Sequence, residues 1–364
     1  MHSFVFQKTI KVVFGRNSIK QIEKHSKTLG SKPLFVIGDQ SLKKNKKFTT
    51  IKKLIKKKFI HINIEKEPEI NYLKKIIKNI NKNKIDSIIA IGGGSVIDSA
   101  KIFSVCLKKK ITPELINKKK IDFYPILTVP TIPGSSSELS GSAVVISKKT
   151  KYDVNGIFPK ICILDSTLMD SLDRKKIFSG ISDAFSHVSE HYFNSSNFSD
   201  LIGTWSEGFF KGLIEVSNKL KKNYNKREVN DEVLLSCSFS PKLAPVAAHG
   251  NAIWEIHPIA HALGSNLKIP HRIIIGICLQ AWFYAKRKSK KKKFKRFLEN
   301  VLNNKYKYID TWHKHWIEQH KLPSSLGFLK LSNQKKNIIN KLIKVEQSCF
   351  SNKELTSFLK KIYK

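Results

Sequence analysis

Short apolar runs alternate with lysine-rich segments of helical periodicity in the first half of the chain. Each run ends in turn residues, and the four clearest are Leu34–Asp39, Phe59–Ile64, Ser87–Ser95 and Pro125–Thr131. The segment Asn71–Lys84 is typical of the helical patterns between them. Strands that alternate with helices pair in parallel through right-handed crossovers. The pattern therefore predicts an open α/β sheet, in a domain that we place at residues 1–174.

The second half of the chain lacks this strand pattern and shows amphipathic helical segments instead. These segments are Ser182–Phe193, Leu201–Lys219, Asn230–Ser238, Ile253–Leu263, Ile273–Arg287, Ile309–His320 and Gln334–Val345. They predict an all-helical domain at residues 175–364. The predicted fold class is thus α/β plus all-α.

The N-terminal segment MHSFVFQKTIKVVFG alternates apolar and polar residues, which favours a first strand over a signal peptide. Elsewhere, no apolar run approaches the length of about 18 residues that a membrane span needs. The five cysteines are scattered without a CxxC pair, as is typical of reduced thiols. We therefore expect a soluble, cytoplasmic protein with no membrane partner.

The chain carries 67 lysine and arginine residues against 28 acidic residues, a formal net charge of +39. A polyanionic partner is one interpretation, but lysines far outnumber the arginines on which base readout depends. We interpret the lysines as solvated faces and expect no specific nucleic-acid partner. The densest run, KRKSKKKKFKR at Lys286–Arg296, is predicted to be an exposed helix or loop. His313, His315 and His320 are assigned to a surface helix.

Three consecutive glycines follow the apolar run that begins at Ser87, in the stretch IGGGSVIDSAK. Glycines let the backbone approach a bulky anion, and a helix opening at Ser95 presents free N–H groups and a positive dipole end. The spacing differs from the G-x-G-x-x-G fingerprint of the Rossmann fold. The stretch is either a plain turn or a diphosphate cradle, and the triglycine with Asp98 favours the cradle. The later loop TIPGSSSELSGS offers hydroxyls and amides for a ribose or a nicotinamide.

Two pairs of polar residues stand four apart on helical patterns in the second half of the chain. Asp183 and His187 share one helix face, and His257 and His261 share another. A carboxylate and an imidazole one turn apart can bind one cation. The alternative for an isolated pair of this kind is a simple hydrogen bond on a helix face.

A third histidine, His271, lies in a predicted turn after Gly264 and Pro270 interrupt the helical pattern. Together with His257 and the aspartate–histidine pair, it would supply three imidazole nitrogens and one carboxylate oxygen. Such a set suits Zn²⁺ or Fe²⁺ and does not suit Ca²⁺ or Mg²⁺. The sequence therefore favours a metal site in the helical half.

Taken in order, GGGSVIDSAK, PTIPGSSSE, ILDSTLMDSL, SDAFSHVSEHY and HPIAHALGSNLKIPH resemble the motifs of iron-containing (group III) alcohol dehydrogenases. The similarity runs from Phe14 to about Tyr284. The WEIHPIAH and TIPGSSSE segments are most similar to the butanol dehydrogenase and aldehyde reductase branch. The resemblance implies a dehydroquinate synthase-like fold, with an N-terminal dinucleotide-binding domain and a C-terminal helical metal-binding domain.

The resemblance also implies hydride transfer between a primary alcohol or aldehyde and a nicotinamide cofactor, with a metal ion as Lewis acid. The four ligands match Asp183, His187, His257 and His271. His261 matches a histidine near the nicotinamide, which either relays a proton or packs against the ring. The positions that match cofactor contacts are Gly92, Gly93, Gly94, Ser95, Asp98, Thr131, Ser135 and Ser140.

The identity of the metal and of the cofactor follows from the same comparison. We expect Fe²⁺, with Zn²⁺ as the alternative, because the ligand set suits both. In this family an acidic residue that closes the second strand disfavours the 2′-phosphate of NADP, and Asp39 occupies that place. We therefore expect NAD rather than NADP. The resemblance further implies a small alcohol or aldehyde as substrate and a homodimer or larger homo-oligomer.

Three positions depart from the family pattern. Ile132 and Ser136 replace a threonine and a glycine, and Arg272 replaces the glycine after the last metal histidine. One alternative function is a glycerol dehydrogenase-like or dehydroquinate synthase-like enzyme, whose metal usually has three protein ligands, so that the fourth ligand argues against it. The other is a non-enzymatic basic binding protein on the same fold, against which the intact ligand set argues.

Overall fold

The computed structural model describes residues 9–38, 51, 53, 60–64, 68–80, 84–116, 122–147, 150–195, 200–222, 226–247, 254–347 and 349–364. The chain divides into two compact units. The first contains Gln7–Leu172 and Tyr224–Phe239, and the second contains Asp173–Asn223 and Ser240–Lys364. The predicted domain limits, 1–174 and 175–364, stay a prediction, because compactness alone does not establish which segments fold independently.

A parallel sheet forms the centre of the first unit, as predicted. The strands with described bounds are β1 Lys11–Phe14, β2 Pro33–Gly38, β3 Ile60–Ile64, β4 Ser87–Gly92, β5 Ile126–Pro130, β6 Ala143–Ser147, β7 Thr150–Val154 and β8 Ile161–Leu164. Among the described residues, the six strands of the sheet lie in the order β1-β8-β5-β4-β2-β3. Strands β6 and β7 form a separate antiparallel hairpin. Together with the helical second unit, this confirms the predicted fold class.

Apolar side chains cover both faces of the sheet, which explains why its strands are continuous apolar runs. Successive residues of β4 point to opposite faces. Ile88 and Ala90 belong to one core cluster, and Ile89 and Ile91 belong to the other. All six residues of β4 are buried. The helices with described bounds that accompany the sheet are α1 Ile22–Lys27, α2 Ile70–Lys78 and α3 Gly94–Lys109.

The strand order reverses between β2 and β4. The chain leaves β2 toward the edge strand β3, returns to β4, and continues toward β5 on the other side. In open α/β sheets, the crevice at the carboxyl ends of two such strands is where ligands bind. The triglycine lies at this point, because β4 ends at Gly92 and α3 begins at Gly94.

The second unit is helical in the described residues. The remaining helices of the chain with described bounds are α4 Arg174–Asn194, α5 Asp200–Lys221, α6 Lys226–Ala247, α7 His257–Leu267, α8 His271–Ala285, α9 Lys291–Asn300, α10 Ile309–Glu318, α11 Asn333–Glu346 and α12 Asn352–Ile362. Of α6, residues 240–247 belong to this unit. None of the helices in the described residues combines the length and the apolar character needed to cross a lipid bilayer.

Two local predictions around the third histidine are wrong. Gly264 does not end its helix, since α7 continues to Leu267 and closes with Lys268 in the left-handed conformation at φ 55°. His271 is not in a turn but is the first residue of α8, with Pro270 as the N-cap. A proline just before a helix is compatible with helix entry, because it lacks only an N–H that the first turn does not use.

The basic block Lys286–Arg296 is not simply exposed, contrary to the prediction. Lys286 is buried, and its Nζ lies 3.0 Å from Glu255 Oε2. Arg287 donates to both carboxylate oxygens of Asp310, through Nε and one Nη atom, at 2.6 Å each. Bidentate pairs of this kind fix a side chain in position.

The second half of the block, from Lys291 onward, forms the start of α9, and two of its side chains also bond to other parts of the fold. Lys293 Nζ donates to the backbone carbonyls of Tyr192 at 3.0 Å and Phe193 at 3.3 Å, near the end of α4. Arg296 Nε donates to Glu207 Oε1 at 2.6 Å. Cations at the carboxyl end of a helix stabilise it through unpaired carbonyls and the helix dipole.

The assignment of the C-terminal histidines to a surface helix is wrong for His313. It is fully buried on α10, and its Nδ1 donates to Gln280 Oε1 at 2.9 Å. Burial lowers the pKa of His313 to about 3. The ring of His320 stacks on Phe178 at 3.7 Å, and burial lowers the pKa of His320 to about 4. His315 is exposed.

Candidate active site

Asp183 and His187 lie one turn apart on α4, a helix that begins after Asp173. The carboxylate of Asp173 caps α4 by accepting from Lys176 N at 2.8 Å. The Nδ1 of His187 donates to the backbone carbonyl of Asp183 at 2.8 Å. A carbonyl only accepts, so this bond fixes the tautomer and leaves the lone pair of His187 on Nε2.

The structure brings the four predicted metal ligands together. One ligand atom each from Asp183, His187 and His257 lies within 4.8 Å of the others. His271 Nε2 lies 3.8 Å from Asp183 Oδ1. The last two predicted ligands, His257 and His271, are the first residues of α7 and α8.

The chemistry of this cluster fits a bound cation. Asp183 is 1% exposed, and in the described part of the chain its Oδ1 has no hydrogen-bond partner. A buried carboxylate oxygen without a hydrogen bond is costly unless a cation compensates it. Three imidazoles and one carboxylate suit Fe²⁺ or Zn²⁺ and can leave a position open for substrate.

The protonation states agree with this interpretation. Burial raises the pKa of the Asp183 carboxyl to about 6, although His257, Arg272 and Lys242 act in the opposite direction. Burial also lowers the pKa of His187 well below its usual range, and His257 adds to the effect. His187 is therefore neutral at pH 7, the form in which an imidazole binds a metal.

A fifth residue, Glu190, belongs to the site and was missed by the sequence analysis. Its carboxylate contacts His257 Nδ1 through Oε2 and accepts from Ile256 N through Oε1 at 2.6 Å. Glu190 follows His187 by three positions on α4, and this spacing was the signal that could have identified it.

Two further residues border the cluster. The ring of His261 stacks on the ring of His271, with centroids 4.4 Å apart and an interplanar angle of 14°. Arg272 follows His271 on α8, and its buried Nη1 has no hydrogen-bond partner within the described ranges. Burial lowers the pKa of Arg272, while Asp183 and Asp173 raise it.

The two segments predicted to bind the cofactor lie against each other in the first unit. Thr131 N donates to Gly92 O at 3.1 Å. A Cβ on Gly94 would lie 2.7 Å from Ser135 Oγ, so only glycine fits there without displacing Ser135. Ser95 is the second residue of α3. The loop after β5 thus packs directly on the glycine turn after β4.

A buried network holds these two segments in place. Ser137 Oγ donates to Asp98 Oδ1 at 2.5 Å and accepts from Lys101 Nζ at 2.8 Å. Val144 N donates to the second oxygen of Asp98 at 3.2 Å. Both oxygens of Asp98 are therefore engaged inside the protein. Ser140 Oγ accepts from Ser142 N at 3.1 Å.

Two predicted cofactor residues remain, Gly93 and Asp39. Gly93 is the N-cap of α3. Asp39 follows the last residue of β2 in the sequence and lies outside the described residues.

Two models of one known family match most of the chain. A family model described as iron-containing alcohol dehydrogenase matches residues 9–166. A second, described as the C-terminal part of the Fe-containing alcohol dehydrogenase family, matches residues 176–316. The chain belongs to the iron-containing alcohol dehydrogenase family. The predicted family and the predicted alcohol dehydrogenase activity are thereby confirmed.

Relatives of this iron-containing alcohol dehydrogenase differ in the cofactor that their names state. The chain is 25% identical over 294 residues to the probable NADH-dependent butanol dehydrogenase 1 of Bacillus subtilis, over 78% of this chain and 76% of that protein. It is also 25% identical over 316 residues to the NADPH-dependent aldehyde reductase YqhD of Escherichia coli, over 83% of this chain and 81% of that protein.

A solved structure shows the same fold. The crystal structure of NADH-dependent butanol dehydrogenase A from Thermotoga maritima superposes with a TM-score of 0.87 at 22% identity, and the match covers 100% of this chain and 99% of that one.

Proposed function

We propose that this chain transfers hydride between a nicotinamide cofactor and a primary alcohol or aldehyde, at a metal ion held by Asp183, His187, His257 and His271. The convergence of one buried carboxylate and three imidazoles carries the proposal. Fe²⁺ is the expected ion and Zn²⁺ the alternative. When bound, such an ion supplies Lewis-acid polarisation of a substrate oxygen.

The chain's own residues supply position and electrostatics. Asp183 contributes the one negative charge of the ligand set, and histidines bind a metal as neutral imidazoles, so the set would leave positive charge on a bound divalent ion. His261, which stacks on His271, is our candidate for relaying a proton or packing the nicotinamide ring. The hydride chemistry itself belongs to the cofactor.

The cofactor is proposed to be NAD rather than NADP. The glycine turn and the N-terminus of α3 lie at the reversal of strand order, where a diphosphate would be bound by free N–H groups. Asp39, next along the chain after β2, would repel a 2′-phosphate. The substitution Asp39→Gly should shift the ratio of kcat/KM toward NADP while leaving metal content unchanged.

Two wider properties are proposed with the activity. All five cysteines carry free thiols, which supports a reducing compartment such as the cytoplasm. The assembly is proposed to be a homodimer or a larger homo-oligomer, following the family's tendency.

The decisive experiment measures metal content and aldehyde-dependent NADH oxidation of the purified chain beside His271→Ala. His315→Ala is the matched control, because His315 is an exposed histidine on another helix. We expect the first variant to lose both metal and activity and the control to keep both. Full metal content and rate in His271→Ala would refute the ligand assignment.

A further inference from the structure

Glu190 is a fully buried carboxylate with a partner at each oxygen. Oε1 accepts from the backbone N–H of Ile256 at 2.6 Å, and Oε2 contacts Nδ1 of His257. Burying an ionised carboxylate is expensive unless hydrogen bonds or charges compensate it. Both compensating groups here belong to the start of α7, the segment that presents His257.

The contact defines which nitrogen of His257 carries its hydrogen. An ionised carboxylate only accepts, so Nδ1 donates to Glu190, and in the neutral ring, which is the form that binds a metal, the lone pair lies on Nε2. His187 is fixed in the same tautomer by its bond to the carbonyl of Asp183. One helix, α4, therefore sets the tautomer of two imidazoles and also supplies the carboxylate ligand.

We propose that Glu190 is a positioning residue that sets the metal affinity of the site by orienting His257. This inference rests on the proposed metal-binding function. A carboxylate behind a ligating imidazole fixes the ring and raises its basicity, and loss of such a partner typically weakens metal binding about 10–100-fold. Glu190 acts through His257 and needs no contact with the substrate.

A purely structural role would give a different result. If Glu190 only anchored the start of α7, its loss would lower the stability of the metal-free protein and leave the intrinsic metal affinity unchanged. Metal affinity and metal-free stability must therefore be measured separately. Glu190→Gln suits this comparison, because it keeps the volume and one accepting oxygen but cannot accept from both partners.

The matched control is Glu207→Gln. Glu207 is also a buried carboxylate, but it bonds Tyr192 and Arg296 and not a member of the metal cluster. Each full-length variant is stripped of metal with a chelator and titrated with Co²⁺, whose visible absorption reports ligand geometry. Thermal unfolding of the metal-free forms is followed in parallel.

We expect Glu190→Gln to bind Co²⁺ about 10–100-fold more weakly with an altered spectrum, and Glu207→Gln to retain the wild-type affinity and spectrum. Equal Co²⁺ affinity in wild type and Glu190→Gln would overturn the inference and leave the proposed function standing. A wild-type chain that binds no Co²⁺ would overturn both.

A second measurement needs no variant. Nitrogen NMR of the ¹⁵N-imidazole-labelled, metal-free wild type, recorded at a pH high enough to keep the His257 ring neutral, distinguishes the two histidine tautomers. We expect the Nδ1–H form at His257, and the Nε2–H form would contradict the inference.

Discussion

Lys286 Nζ lies 3.0 Å from Glu255 Oε2, and the two side chains are only 4% and 5% exposed. The same ammonium reaches Glu354 Oε2 at 3.2 Å and donates to the carbonyl of Cys349 at 3.0 Å. Glu255 in turn accepts from Trp282 Nε1 at 2.8 Å. The first lysine of a run that resembles solvated charge is therefore the centre of a buried polar cluster.

Removing the lysine charge from this cluster should destabilise the protein strongly. We expect Lys286→Met to lower the free energy of unfolding by about 3–5 kcal/mol, because it leaves a buried carboxylate without its cation. Urea unfolding measures the change. Lys288→Met is the control, since Lys288 is exposed in the same block and should change stability by less than about 0.5 kcal/mol. Equal effects would contradict the buried pairing.

Acid should destabilise the protein through His313. The pKa of His313 is about 3 in the folded chain against 6.5 in the unfolded chain, so the unfolded state binds the proton first as pH falls. The contribution of His313 to the free energy of unfolding is fully present above pH 6.5, and it decreases by about 1.4 kcal/mol per pH unit between pH 6.5 and pH 3. His313→Phe should remove this part of the slope near pH 5, although it loses the bond to Gln280. Unfolding free energies of wild type and His313→Phe, measured from pH 7 to 4.5, test this prediction. Parallel curves for the two proteins would exclude a contribution of His313 to the pH dependence.

At Ser136, which replaces a family glycine, we expect the glycine variant to be more stable than the alanine variant. Ser136 has φ 51°, the left-handed region, and its Oγ donates to Ser238 O at 2.5 Å. Ser136→Ala keeps the unfavourable φ and loses the bond, whereas Ser136→Gly loses only the bond. We expect the alanine variant to be less stable than the glycine variant by about 0.5–1 kcal/mol.

Ser99 provides the control for this order. It lies within α3, and its Oγ donates to Ser95 O at 2.7 Å. In a helix interior glycine costs about 1 kcal/mol relative to alanine, so Ser99→Gly should be less stable than Ser99→Ala. The same order at both positions would argue against the left-handed conformation of Ser136.

The network below the glycine turn should affect cofactor binding without affecting the metal. Ser137→Ala removes the hydroxyl that joins Asp98 and Lys101, and it loosens the loop that packs on Gly94. We expect NADH, titrated by fluorescence, to bind about tenfold more weakly, equivalent to about 1.4 kcal/mol. Metal content should stay constant. In the control Ser104→Ala, the lost hydroxyl bonds a carbonyl of its own helix. Unchanged NADH affinity in Ser137→Ala would show that the network does not shape the site.

The periodicity of apolar and polar residues was sufficient to predict the elements in which the pattern repeats several times. Strand β4 and the helical pairs of Asp183 and His257 were readable because burial and spacing repeat along the chain. Strand β8 was missed because its four residues, Ile161–Leu164, are too few to establish a period. The start of helix α9 was predicted only as part of an exposed helix or loop, because lysines obscure the apolar positions of the helix, of which Phe294 and Phe297 are buried.

The residues of the candidate metal site could be predicted only in part, for a different reason. Ligands can be proposed from residue type and spacing, but a carboxylate such as Glu190 can be recognised only from the residue that it contacts in the folded chain. Its partner is 67 positions away along the chain. The burial of His313 was equally hidden, because charged neighbours in sequence gave no sign of the apolar packing around it.

The basic block has a consequence for how its sequence can vary. Lys286, Arg287, Lys293 and Arg296 each hold a specific acceptor, whereas Lys288, Lys291, Lys292 and Lys295 are exposed. A permuted block of identical composition and identical net charge would place the wrong side chains at these acceptors. Such a change keeps the composition and removes these four contacts, so at these positions of the low-complexity run the order of the residues matters as well as their charge.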